Sequence, residues 1–173
     1  MRTRSLIIWW AVGVALFAQT AARAQVSDLA VKAAFLPKFA RYVTWPQSAP
    51  AHSRQMVLCV VGDDPFGTML SQAAAGEQVD GRSMVVKHLD SAAGASDCAI
   101  AFIAGARIGE TLAALGRQPV LTVTDSKSSS QRGIIHFAIV DGRVRFFINN
   151  AQAQARGLTI SSRLLALAIG VKQ

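Results

Sequence analysis

The stretch DGRVRFFIN, residues 141–149, places side chains that could carry recognition chemistry at alternate positions. In an extended strand Val144, Phe146 and Ile148 point one way, and Arg143, Arg145, Phe147 and Asn149 point the other. One face is core. The other offers two guanidiniums, an aromatic face and an amide. Guanidiniums bind carboxylate or phosphate through paired N–H donors, and Phe147 supplies a flat surface for stacking. The chemistry to expect is binding of an anionic or aromatic small ligand, or of an acidic protein surface. The alternative is an ordinary half-exposed sheet face, with arginine stems covering Phe147.

Residues suited to catalysis are not grouped. His52, His88 and His136 are far apart, with no HExxH and no two-Cys, two-His spacing, so no metal site is encoded locally. There is no GxSxG, no P-loop and no GxGxxG. GDDPFG, residues 62–67, follows an apolar run and resembles a ligand-binding turn. It lacks the fingerprint spacing, and its two acids would repel phosphate. It reads as a strand-to-helix connection, with Asp63 or Asp64 as the helix cap. Glu77 and Glu110 are the only glutamates, and nothing pairs them with an aspartate. No cofactor, no metal and no enzymatic turnover are expected.

The amino terminus reads as a secretory leader. Arg2 and Arg4 precede the uncharged run SLIIWWAVGVALFAQT, and ARA precedes Gln25. That run is shorter than the ~20 residues a membrane span needs, and small residues favour a cut after Ala24. The expected organisation is therefore a leader over residues 1–24 and one domain over residues 25–173. Loss of Arg2, Arg4 and Arg23 lowers the net charge from +8 to +5. What remains is uneven: residues 141–173 carry Arg143, Arg145, Arg156, Arg163 and Lys172 against Asp141 alone. An exported protein rarely meets nucleic acid, so an acidic protein or a small anion fits this basic tail better.

Cys59 and Cys98 are the only cysteines. In an exported chain they read as an intramolecular disulfide, with two buried thiols or pairing to another chain as alternatives.

The elements that must hold these groups follow from pattern. SDLAVKAAFLPKFARYVTWP opens as a helix with Ser27 or Asp28 as cap, an apolar stripe through Phe35, Phe39, Tyr42 and Val43, and a kink or break at Pro37. Lys32 falls within the apolar arc; its stem on the core with the ammonium reaching water is preferred to a ligand-facing lysine. Trp45, next to Pro46, either locks the helix end onto the sheet or faces a partner or ligand; the lock is preferred. MVLCVVG, RSMVVKHL, CAIAFIAG and PVLTVTD read as strands, TMLSQAAAG and ARIGETLAALG as helices. IIHFAIV and RVRFFIN flank an Asp-Gly turn, a hairpin signal. A short helix over NAQAQARG precedes a last helix expected to bury Leu164, Leu165 and Leu167. Continuous apolar strands alternating with helices imply an α/β fold. It is a single three-layer domain with a mixed, mostly parallel sheet, a C-terminal antiparallel hairpin and helices on both faces.

Taken in order, VKAAFLPKFARYVTWP, LCVVGDDPFG, PVLTVTD and GRVRFFINNAQAQARGLTISSRLLALA resemble the YfiR-like family of exported bacterial proteins. The resemblance covers residues 28–169. It implies a periplasmic repressor that binds the sensor portion of an inner-membrane diguanylate cyclase and so controls cyclic di-GMP and biofilm formation. Other members serve partners such as histidine kinases. A homodimer also stands among the candidate partners. The resemblance further implies redox-sensitive pairing of Cys59 with Cys98. Pro37, Thr44, Phe147 and Asn150 depart from the family pattern. For contact, Arg143, Arg145, Asn149 and Arg163 are first choices, followed by Phe147 and Trp45.

Overall fold

The computed structural model describes residues 28–49, 54–127 and 130–173. The expected leader and the Ser27 cap lie outside them.

Helix α1 (28–39) continues through Pro37 and tightens into a 3-10 turn over Ala40–Tyr42. The helix is not split at Pro37. A proline removes one backbone hydrogen bond, and here Ala33, Leu36, Phe39 and Ala40 are buried on the sheet and hold the helix in place. Short strand β1 (Val43–Thr44) follows. The chain then forms β2 (Gln55–Val61), α2 (Thr68–Ala74), β3 (Gln78–Val79), β4 (Arg82–Leu89) and β5 (Ile100–Ile103). Next come α3 (Ile108–Leu115), β6 (Leu121–Asp125), β7 (Ile135–Val140) and β8 (Arg143–Asn149). Helix α4 (Asn150–Ala155), β9 (Thr159–Ile160), α5 (Ser162–Leu167) and β10 (Gly170–Lys172) close the chain.

One eight-stranded sheet has the order β10-β8-β7-β6-β5-β2-β4-β3, and β1 pairs separately with β9. Pairs β2/β4, β2/β5, β5/β6 and β6/β7 are parallel, while β7/β8 and β3/β4 are antiparallel. The expected mixed, mostly parallel sheet is what forms. The hairpin turn has φ 51° at Asp141 and 68° at Gly142. Two consecutive positive φ values give the mirror-image turn whose twist matches the flanking strands.

The sheet separates two apolar layers. Met56, Leu58, Val60, Ile100, Phe102, Leu121, Val123, Ile135, Phe137, Phe146 and Ile148 belong to the larger cluster, which also holds residues of α1, α2, α4 and α5. Val57, Cys59, Val61, Ala101 and Ile103 belong to the smaller one, with Ile108 and Leu115 of α3. Alternation along each strand produces this division. Cys59 and Cys98 are both buried in the smaller layer and joined as a disulfide that ties β2 to the entry of β5.

Two expectations about the termini of elements need correction. Leu164 is buried and Leu165 partly so, but Leu167 is 60% exposed. The last helix spans only Ser162–Leu167, and Leu167 closes it with its side chain in solvent. Lys32 does not send its ammonium to water. Nζ lies 2.6 Å from Asp125 Oδ2, and the two side chains are 0% and 5% exposed.

Candidate recognition face

The second apolar layer stops where α3 stops. Beyond β5 the same side of the sheet carries Thr122, Thr124, His136, Arg145 and Phe147, none of which belongs to either apolar cluster. Strand pairing sets their arrangement: His136 lies opposite Phe147, Ala138 opposite Arg145, and Val140 opposite Arg143. Arg143, Arg145, Phe147 and Asn149 thus share one face of β8, as alternation requires. Arg143 and Arg145 are exposed, while Phe147 and Asn149 are half-buried. Asn149 Oδ1 accepts the Gln152 backbone N–H and caps α4, so its oxygen is already committed.

The other anticipated contact residues lie elsewhere. Arg163 is exposed on α5, whose Leu164 packs into the larger apolar layer on the opposite side of the sheet. It does not join the β8 arginines. Trp45 is only 5% exposed within that layer, and its Nε1–H donates to the Ala99 carbonyl at 3.3 Å. Buried in this way, the indole offers almost no surface to a partner. Arg156 leaves the basic tail for a similar reason. It is 5% exposed, its NH1 donates to the Val120 carbonyl, and burial lowers its pKa from the ordinary arginine value. The surface cations of residues 141–173 are therefore Arg143, Arg145, Arg163 and Lys172, none ion-paired among the described residues.

The GDDPFG turn is a strand-to-helix connection, as expected, but neither aspartate caps α2, whose cap position is Gly67. Asp64 Oδ1 instead accepts the Phe66 N–H, and Oδ2 lies 3.0 Å from His88 Nε2. The crevice beside it, about 290 Å3, has the carboxylates Asp63 and Asp90 in its lining. Among the described residues no cluster of His, Cys, Asp or Glu could hold a metal ion.

Sequence reasoning missed three groups around Phe147. The Arg132 guanidinium lies 4.9 Å from the Phe147 ring centroid, a cation–π distance. His136, 3% exposed, approaches Thr124 Oγ1 through Nδ1 at 2.8 Å. Lys172 reaches the same place because β10 pairs with β8, Lys172 opposite Asn149. The His136–Phe147 pairing was recoverable from sequence, since a two-residue Asp-Gly turn sets the register of the whole hairpin. The β10 pairing was not, because a parallel partner of three residues carries no local signal.

Burial lowers the His136 pKa first and the Arg132 charge second, against a smaller upward pull from Asp125. Linkage gives the sign. Above the ordinary imidazole value of about 6.5, both folded and unfolded states hold a neutral ring. Below it the unfolded chain takes a proton that the native ring resists, so stability falls as pH drops toward the native pKa. The expected result is a steeper loss of urea midpoint between about pH 7 and about pH 5 in wild type than in His136→Asn. Equal slopes would assign the acid sensitivity to other groups.

A family model described as YfiR/HmsC-like matches residues 29–169. The chain belongs to the YfiR/HmsC-like family. No curated protein matches it in a sequence search. In this YfiR/HmsC-like chain the match begins within α1 and ends between α5 and β10, so it takes in the disulfide and all of β8. Among the described residues, no helix is long and apolar enough to cross a membrane.

Proposed function

We propose that the protein is exported to the periplasm and acts there without turnover, as a repressor of an inner-membrane signalling protein. It docks on the periplasmic sensor portion of that partner, a diguanylate cyclase, and holds its output down. Release then raises cyclic di-GMP and favours biofilm formation. Family membership supports the regulatory class. One observation carries the docking surface: Arg143 and Arg145 stand exposed on one face of β8, beside the hairpin turn, without an acidic partner among the described residues. Such a pair steers and orients an acidic surface through planar N–H donors.

The test is Arg145→Glu, alone and with Arg143→Glu, titrated against the periplasmic segment of the partner. Charges at the rim of an interface act mainly on association. Association at low salt should slow by about tenfold, with a shallower salt dependence and an unchanged melting temperature. Affinity unaltered by both reversals would remove this face from the interface.

A further inference from the structure

The uncovered part of the sheet is not flat. The segment before β7 crosses over it, held by two backbone donors: Gly133 N–H to Thr124 Oγ1 at 2.9 Å and Ile134 N–H to Thr122 Oγ1 at 3.0 Å. Only glycine fits at 133, where a Cβ would meet the Thr122 carbonyl oxygen at 2.8 Å. This crossing carries Arg132 above Phe147. On the far side β10 forms the opposite wall, and Gly170 lets the Phe147 ring lie against its backbone: a Cβ there would stand 2.9 Å from Cδ1. The result is a cavity of about 280 Å3 between the crossing segment and β10.

Its lining is amphipathic in a specific way. Ile134, Phe147 and Val171 supply the apolar part, and Arg132, His136 and Lys172 the polar part. Among the described residues no carboxylate lines it. His136 is nine-tenths buried and more, yet only Nδ1 is used. Thr124 Oγ1 already accepts the Gly133 N–H, so its hydroxyl proton is free to go to Nδ1. In the tautomer in which Thr124 donates to Nδ1, the neutral ring carries its proton on Nε2. That N–H has no partner among the described residues. The nitrogen is not sealed from solvent, so it opens on the cavity, where an acceptor can reach it.

We propose that this cavity binds a small organic carboxylate with a flat apolar body. The carboxylate takes paired N–H donors from Arg132 and the Nε2–H of His136, with Lys172 adding positive charge at the rim. The body lies against the Phe147 ring, beside the Gly170 backbone. Ligand cavities usually measure about 300–1,000 Å3, so this one suits a single ring and is too small for a nucleotide. The inference goes beyond the docking proposed above and does not depend on it, since Arg143 and Arg145 do not line the cavity.

The experiment is an NMR titration of the purified protein with benzoate, benzyl alcohol, benzamidine and inorganic phosphate, following the Phe147 and His136 ring resonances. Benzoate should give saturable shifts at both rings, with the neutral, cationic and inorganic probes binding at least about tenfold more weakly. Arg132→Gln should weaken benzoate by about tenfold or more. Arg132 is exposed, so its replacement leaves the core intact, whereas His136→Gln, which keeps a donor near Nε2, serves as a second variant. Absence of saturable shifts with benzoate would overturn the proposal. So would equal binding of benzyl alcohol, equal binding of phosphate, or benzoate affinity unchanged in Arg132→Gln.

Discussion

Replacing Lys32 by methionine is expected to destabilise the fold by about 3–5 kcal/mol, the cost typical of breaking a buried ion pair from one side. The Lys32 side chain is fully buried, and its Nζ contacts Asp125 Oδ2 at 2.6 Å. Asp125 also accepts the Lys127 backbone N–H through Oδ1. Methionine preserves the apolar stem but strands a carboxylate at the end of β6 under α1. Asp125→Leu should cost a similar amount by stranding the ammonium. Removing both charges together, as Lys32→Met with Asp125→Leu, should recover most of the loss, because the desolvation penalty disappears with the pair. Urea unfolding of the four proteins gives the coupling directly. If the double variant is as unstable as the two losses added, the pair is not acting as a unit. A typical domain has only about 5–15 kcal/mol in total, so either single variant should also be visibly less soluble.

Opening the Cys59–Cys98 disulfide should lower stability by about 4 kcal/mol. The two residues are 39 positions apart, and the estimate follows from the chain entropy regained by the unfolded state when that loop is released. Cys59→Ala/Cys98→Ala measures it without reductant. Each sulfur is 1% exposed or thereabouts at the residue level, so reductant should act slowly on the native protein and faster once the layer under α3 opens. A loss below about 1 kcal/mol would mean that the smaller apolar layer, not the crosslink, holds β2 to the entry of β5.

Much of this architecture was legible before folding. Continuous apolar runs at Met56–Val61 and Ile100–Ile103 are what strands covered on both faces require, and both are strand interiors. The Asp-Gly pair marked the hairpin because few other residues accept positive φ at both turn positions. Alternation along Arg143–Asn149 placed Arg143, Arg145, Phe147 and Asn149 on one side. These are local properties: a residue's φ preference and the two-residue period of a strand depend on its neighbours in sequence.

Long-range placement was not legible. Lys32 and Asp125 are 93 residues apart, and nothing in either neighbourhood announces that one ammonium will find one carboxylate in a dry layer. The neighbours of Lys32 in sequence set the helix face it lies on but not what covers it, so they do not reveal that its ammonium is dry. Trp45 illustrates the same boundary: its type was compatible with a core lock or an interface anchor, and the Ala99 carbonyl, 54 residues away, decides for the core. The cavity is the fullest case. Arg132, His136, Phe147 and Lys172 meet because the order of the strands, a crossing segment and a three-residue edge strand converge on one patch of sheet. Sequence by itself determined the elements, their faces and the recognition-type residues on β8; the packing of distant segments, governed by non-local burial and pairing, decided which of those residues share a site and which are spent on the core.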